Sequence, residues 1–428
     1  MEAQFLERQL APGVTLYMWP TAQFKSVTVK VFLHHPLGQD ATETALLPRI
    51  LLRGSARYPT LQSLSRRREE LYGTGIDGDA SKLGRDHLMG IEVGGVSARF
   101  AGAEADLLDE QIAFLSEVLF NPRLEDGKFN AEYLAQEKNV LRQKIEGLIN
   151  DKRSYAGFRL YQEMCKGDPF AMHRLGTLEH IDQVTPESLA EHYHRLTSQS
   201  PVSIFAVGAF DPGRVEEAVR RFPWPAGKRG ALPKAGPFEA PERPEPQTVK
   251  EEQEVNQALL HLGYRTGITF ADELYPALSV YSGILGAFPH SKLFIQVREK
   301  ASLAYFAWTR LEPTMGLMDA SSGIDPKNYE RALELMQAQV AAMARGDFSE
   351  DELEATRAAL RTGLRSVYDA PGALVDRTLL GVVNGRQRPP EETIAAIEKV
   401  TRDQIVEVAG RVKLDTIYFL TSRGEARG

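Results

Sequence analysis

The chain has 428 residues, 43% hydrophobic and 25% charged, with a net charge of −7; at roughly 100–200 residues per domain this is a globular protein of two to four domains and not a disordered one. The acidic balance argues against a nucleic-acid or anionic-membrane surface, which needs clustered Lys and Arg. A single cysteine, Cys165, excludes a disulfide framework, a Cys-based zinc site and an iron–sulfur cluster, and with no signal-peptide order at the N-terminus and no apolar run of about 18–20 residues, a cytoplasmic protein is expected.

In chain order, SVTVKVFL (residues 26–33) alternates β-branched and polar residues and predicts a strand. LPRILLRG and LQSLSRRREELYG carry helical spacing, and KLGRDHLMGIEV with VSARF reads as a hairpin-like pair. EADLLDEQIAFLSEVLF repeats apolar residues at i, i+3, i+4 and i+7, the mark of an amphipathic helix, and AEYLAQEKNVLRQKIEGLIND predicts a second long helix. Between Lys228 and Glu252, prolines at 233, 237, 241, 244 and 246 fix φ and remove backbone donors, which predicts a semi-rigid extended linker. Beyond it, a Gly/Pro turn leads into a short helix over 291–300 and a strand from Ser302.

The parts on either side of the linker are copies of one unit. Phe129, Leu134 and Leu141 recur as Phe348, Leu353 and Leu360 at an offset of 219, and Ile181, Val184 and Thr185 recur as Ile397, Val400 and Thr401 at an offset of 216. Each set is followed by a polar helix and a short apolar run, SIFAV and TIYFL. Strands interrupted by long helices without regular βαβ alternation predict an α+β fold: two duplicated domains, each a mostly antiparallel sheet with helices packed on one face. The expected division is a domain at 1–227, the linker at 228–252 and a second domain at 253–428.

None of the nine histidines stands in H-E-x-x-H or H-x-x-E-H spacing. His34 and His35 are adjacent on a strand and point to opposite faces. His192 and His194 diverge at i, i+2 on a predicted helix, so a metal site built on them with nearby acids is disfavoured. The stretch FPHSKLFIQVREKASLAY is more informative: it delivers Arg298 from a helix end and Tyr305 from the adjoining strand, a cation and a phenol suited to gripping a peptide carbonyl or carboxylate. The plain alternative is that Arg298 complements a helix C-terminus and Tyr305 lies half-buried on the sheet.

VREKASLAY, the duplicated halves, and the order LPRILLRGSARYPT, REELYG with GRDH, EKNVLRQKI and HRLGTLEHIDQVTPESL resemble the pitrilysin/insulysin/mitochondrial processing peptidase family of zinc metallopeptidases (peptidase family 16) over essentially the whole chain. The form is nearest to the zinc-ligand-lacking YmfF-like branch of small bacterial members. The resemblance implies a zinc site of H-x-x-E-H plus a later glutamate, but here Ala45 and Arg49 occupy the histidine positions, Pro48 the general-base position and Lys144 that of the metal-binding glutamate, with Glu137 matching the first glutamate of the family's E-R-x-V-V-L-E-E pattern. No metal is therefore expected on this chain.

Arg298 and Tyr305 match the family's R…Y pair, which the resemblance implies holds substrate and stabilises the oxyanion, so these two are the expected catalytic residues. Ser302 stands where the family often has glycine. The matching edge-strand segment, Gly78-Asp79-Ala80, is the expected substrate-binding element, adding a peptide as an extra strand; the competing reading is a polar turn into a hairpin. The resemblance implies a half-clamshell that is inactive alone and pairs with a homologous H-x-x-E-H subunit holding the zinc, to cleave unfolded peptides; a homodimer is the other pairing, and a non-catalytic structural or assembly protein of the same fold is the alternative function.

Overall fold

The computed structural model describes residues 5–102, 107–237 and 245–422. Pro241 and Pro244 of the expected linker, and the start of the EADLLDEQIAFLSEVLF segment through Asp106, lie outside the described residues. The chain sorts into two compact units: the first comprises residues 1–146, 172–234 and 370–379, the second 147–171, 235–369 and 380–428.

The strands are β1 (Leu6–Ala11), β2 (Val14–Pro20), β3 (Ser26–Pro36), β4 (Gly75–Leu83), β5 (Asp86–Val96) and β6 (Val202–Gly208) in the first unit, and β7 (Gln247–Gln253), β8 (Ala258–Arg265), β9 (Ala304–Glu312), β10 (Leu317–Ile324) and β11 (Lys413–Ser422) in the second. The helices in chain order are α1 (Ala41–Leu51), α2 (Leu61–Glu70), α3 (Leu107–Phe120), α4 (Ala131–Gly147), α5 (Lys152–Met164), α6 (Leu178–Gln183), α7 (Pro186–Gln199), α8 (Pro212–Arg220), α9 (Tyr275–Ser282), α10 (Tyr329–Ala344), α11 (Glu350–Arg365), α12 (Pro371–Val383), α13 (Pro390–Glu398) and α14 (Arg402–Arg411).

The first sheet runs β1-β2-β6-β3-β5-β4 and the second β7-β11-β8-β10-β9. In each, one pair is parallel (β2 with β6, β7 with β11) and the remaining neighbours are antiparallel. The second sheet thus repeats β2-β6-β3-β5-β4 strand for strand, which is the duplication expressed as topology. Its anchors keep their environments: Phe129 and Phe348, Leu134 and Leu353, Ile181 and Ile397 are all buried, and Thr185 and Thr401 each cap a helix with a reciprocal capping box.

Alternation decides which face is core. Val27, Val29, Val31 and Leu33 of β3 join Leu16, Met18, Ile204, Ala206, Met89 and Ile91 beneath the helices, while Phe32, Tyr17 and Phe205 stack on the opposite face, with Tyr17 and Phe205 ring centroids 5.0 Å apart. β6, central in its sheet, is buried at every position.

Two local expectations change. The hairpin is formed by β4 and β5, turning at Gly84 (φ +58°) inside KLGRDH, because that glycine supplies the left-handed turn residue; the VSARF segment leaves the sheet, and Ala98–Ala101 is helical. The helix expected over 291–300 is a π-helical segment, Phe294–Lys300, following another at Gly283–Ala287, and the strand begins at Ala304 after Ser302 at φ +51°.

The linker stretch spans the change from first to second unit at Lys234 and Ala235, and two other segments cross without a compositional signal. α5 packs in the second unit on the sheet face away from its main helix layer, where Leu160 and Met164 join Leu259, Leu317, Tyr418 and Leu420. Gly263 of β8 permits this approach: a Cβ there would collide with Met164 Sδ and lie 3.0 Å from Leu160 Cδ1. Around it, the Tyr155 and Tyr418 hydroxyls each donate to Glu251 at 2.7 Å, and Arg265 donates to the Met164 carbonyl at 2.6 Å.

Candidate functional site

α1 buries Ala45, Leu46, Leu47 and Ile50 against the first sheet, which leaves Arg49 and Arg53, one helical turn apart, facing α4. Both reach Glu137: Arg49 Nε lies 2.7 Å from Oε2, and Arg53 Nε donates to Oε1 at 2.6 Å. Glu137 is 4% exposed, and a buried carboxylate needs such partners to stay charged. Along α4, Leu134, Glu137 and Leu141 are buried, and Lys144 lies further along the helix at its more exposed end. Partial burial, then the charges of Arg49 and Arg174, push the Lys144 ammonium down from its ordinary range, with Asp79 and Glu137 opposing.

A guanidinium and an ammonium therefore stand at two of the positions where the resemblance implies zinc donors, and an alanine at the third. Neither cation has a lone pair to give a metal, so these residues do not fit zinc. Among the described residues no group of three or more His, Cys, Asp or Glu could hold a metal ion.

β4 is the edge of the first sheet, and it carries Gly78, Asp79 and Ala80 next to α1. A Cβ on Gly78 would lie 2.8 Å from Pro48 Cβ and 2.5 Å from Ile91 Cδ1, so glycine lets the helix sit directly on the strand. Two backbone groups here are already engaged: the Gly78 N–H donates to Asp77 Oδ1 at 2.8 Å, and the Ala80 carbonyl accepts from Arg174 Nη1 at 2.6 Å. Arg174 also lies 4.0 Å from Asp79. Residues 45, 48, 49, 144 and 78–80 lie in one unit; Arg53 and Arg174 were not anticipated, although the i, i+4 spacing of Arg49 and Arg53 on either side of the α1 terminus was a usable signal.

Arg298 and Tyr305 lie in the second unit. The Arg298 guanidinium stands over the Phe294 ring at 4.4 Å and 3.8 Å from Glu299, and its side chain is 41% exposed. β9 pairs Ala304 with Ile324 and Phe306 with Gly323, so Tyr305 is the extra residue of a bulge, 73% exposed. Its hydroxyl has no hydrogen-bond partner among the described residues. The half-buried position of Tyr305 that was the plain alternative is not what forms. β9 is the edge of its sheet, in the place that β4 occupies in the first. Glycines let the first π-helical segment press on this strand: a Cβ on Gly286 would lie 2.8 Å from the Thr309 backbone nitrogen. π-Helical turns are rare and concentrate at functional sites.

His34, His35 and His192 are tied into the first unit by hydrogen bonds and ion pairs. His34 Nδ1 is 2.6 Å from Asp86 and Nε2 is 2.8 Å from Ser203 Oγ, the connectivity of a Ser–His–Asp relay. Ser203 is 3% exposed and burial pushes the Asp86 carboxyl up, so this chain of bonds ties β3, β5 and β6 together instead of meeting a substrate. His192 is buried 2.8 Å from Thr44 Oγ1, and burial pushes its imidazole down to about 3. Asp40, 2.8 Å from His35 Nε2 and 3.6 Å from His192 Nδ1, is held well below the usual carboxylate range by His35, His192 and Arg195 against the opposing effect of burial.

Residues 183–360 match the family model described as "Peptidase M16 inactive domain". The chain is 37% identical to "Probable inactive metalloprotease YmfF" of Bacillus subtilis over 409 residues, 95% of this chain and 96% of that protein. Among solved structures it is similar to a conserved protein from Enterococcus faecalis V583 (TM-score 0.90, 31% identity, 99% of each chain covered) and to a peptidase M16 inactive domain from Pseudomonas fluorescens (TM-score 0.80, 20% identity, 98% of each covered).

Proposed function

Because the chain belongs to the M16 peptidase family as one of its inactive-type members, we propose that it is the zinc-less subunit of a two-chain peptidase, lending Arg298 and Tyr305 to a peptide-cleaving site whose zinc and general base come from a homologous H-x-x-E-H partner. The observation that carries this reading is the contrast between the two units. In the first, cations stand at the family's donor positions, with Arg49 committed to Glu137. In the second, a phenol and a guanidinium are presented to solvent on a bulge and a π-helical segment, with no buried polar partner holding either.

In the assembled site, Tyr305 donates its O–H to the oxygen of the scissile carbonyl as negative charge develops there, and Arg298 supplies a fixed positive charge to the same peptide. Partner zinc supplies Lewis acidity and the nucleophilic water. The peptide itself docks by backbone pairing along an edge strand; β4 is this chain's candidate, with the ladder ending at Gly78–Ala80, where the Gly78 N–H and the Ala80 carbonyl are already engaged.

The test is reconstitution with the H-x-x-E-H protein that co-purifies with this chain. The pair cleaves an unstructured peptide and each chain alone does not. Tyr305→Phe in the pair lowers kcat by about 100- to 1000-fold, the usual effect of removing one oxyanion donor. Unchanged turnover rejects the role; recovery of this chain without any H-x-x-E-H partner favours an assembly protein of the same fold.

A further inference from the structure

The corner where α1, α4 and β4 meet has more positive charge than its own carboxylates use. Arg49 and Arg53 share one carboxylate, Glu137. Lys144 has no carboxylate within ion-pair distance among the described residues, and the one nearest Arg174 is Asp79 at 4.0 Å. Four cations thus face two anions. Of the other acids on this side, Glu92 pairs with Lys30 at 3.0 Å, Asp77 accepts from the Gly78 N–H, and Asp376 has its carboxyl pushed up by burial.

The donors are also spare. Arg49 Nε lies 2.7 Å from Glu137 as an ion pair and Arg174 uses Nη1 on the Ala80 carbonyl, and the Arg49 guanidinium, the Nη2 of Arg174 and the Lys144 ammonium make no hydrogen bond among the described residues. With its side chain 22% exposed, Arg49 is reachable from solvent.

The strand beside these cations is closed at the same point. Asp77 holds the Gly78 N–H and Arg174 holds the Ala80 carbonyl, two of the groups that a peptide added to this edge would use. A peptide ladder running along β4 stops there, beside three cations whose complementary group is a carboxylate.

We infer that Arg49, Lys144 and Arg174 form a carboxylate-binding site at the closed end of β4, taking the C-terminal or an acidic side-chain carboxylate of a peptide. This rests on the peptide-binding half of the proposed function and adds the class of group recognised. The corner of the first unit that would hold the metal in a zinc-bearing relative has become an anion anchor, with guanidinium and ammonium groups giving charge-assisted hydrogen bonds.

The test uses the full-length chain and a fluorescein-labelled decapeptide of Ala, Ser, Thr and Val in three forms: free C-terminal acid, C-terminal amide, and amide with two internal glutamates. Anisotropy titration shows at least one acid-bearing peptide binding about 10- to 100-fold more tightly than the acid-free amide, the range expected for charged hydrogen bonds. Tighter binding of the free acid assigns the terminal carboxylate; tighter binding of the glutamate peptide assigns the side chain. Lys144→Gln and Arg174→Gln each erase that preference, with thermal melting confirming that both variants remain folded. Equal affinity for all three peptides, no binding of any, or a preference that survives both substitutions overturns the site. Turnover by the reconstituted pair, which depends on Arg298 and Tyr305, reports separately on the catalytic reading.

Discussion

Ser302 holds φ at +51° three residues before Tyr305, a conformation that costs a non-glycine residue about 1–2 kcal/mol. Its hydroxyl reaches the Glu299 carbonyl only at 3.5 Å, too long to offset that cost. Ser302→Gly therefore raises the unfolding free energy by up to about 1 kcal/mol in urea titration, the relief of strain exceeding the added chain entropy. A loss of stability would mean that the serine is held by something other than its backbone geometry. At the same scale, Glu137 is a buried carboxylate met by two guanidinium groups, Arg49 and Arg53.

At the scale of elements, the docking of α5 on the second sheet depends on a missing side chain. Gly263→Ala drives a methyl into Met164 and costs about 1–3 kcal/mol, as overpacking of a filled core does. Met164→Ala in the same chain opens space for that methyl, so the double variant is more stable than the sum of the two single losses. Additive losses in denaturant titrations would place the strain elsewhere than at the Gly263–Met164 contact. The edge strands make a second element-level contrast: β4 has engaged backbone groups at Gly78 and Ala80, whereas β9 carries a bulge that turns Tyr305 outward.

At the scale of the whole molecule, stability responds to pH through buried imidazoles. Burial pushes His192 down to about 3 and His87 and His173 down to about 4, against about 6.5 in an unfolded chain. Between about pH 4 and 6.5 the unfolded state binds protons that the folded state does not, so stability is complete above about pH 6.5 and falls as pH drops through that window. Asp86, pushed up by burial, works in the opposite sense over part of the range. Urea midpoints measured from pH 7 to pH 4.5 fall, and they fall less in His192→Gln; a profile flat over this range would mean that these rings are solvated in the folded protein.

Much of the fold was legible because it rests on local periodicity. The alternation of Val27, Val29, Val31 and Leu33, and the recurrence of Phe129, Leu134 and Ile181 as Phe348, Leu353 and Ile397, fix which residues are buried, and burial is where hydrophobic free energy is gained. The residue types at 45, 48, 49 and 144 were readable as offering no zinc donor at the positions the resemblance implies, since no fold turns a guanidinium into a metal donor. What the sequence left open needed groups far apart in the chain to meet. The hairpin turn at Gly84 competed with a plausible strand at VSARF, and backbone geometry at one glycine decided it. The capping of Ala80 by Arg174, the clamp of Arg53 on Glu137 and the packing of α5 on the second sheet span 94, 84 and about 100 residues. Composition and spacing carry no record of such contacts, because they arise from where the sheets deliver side chains in space, and tertiary structure alone sets that.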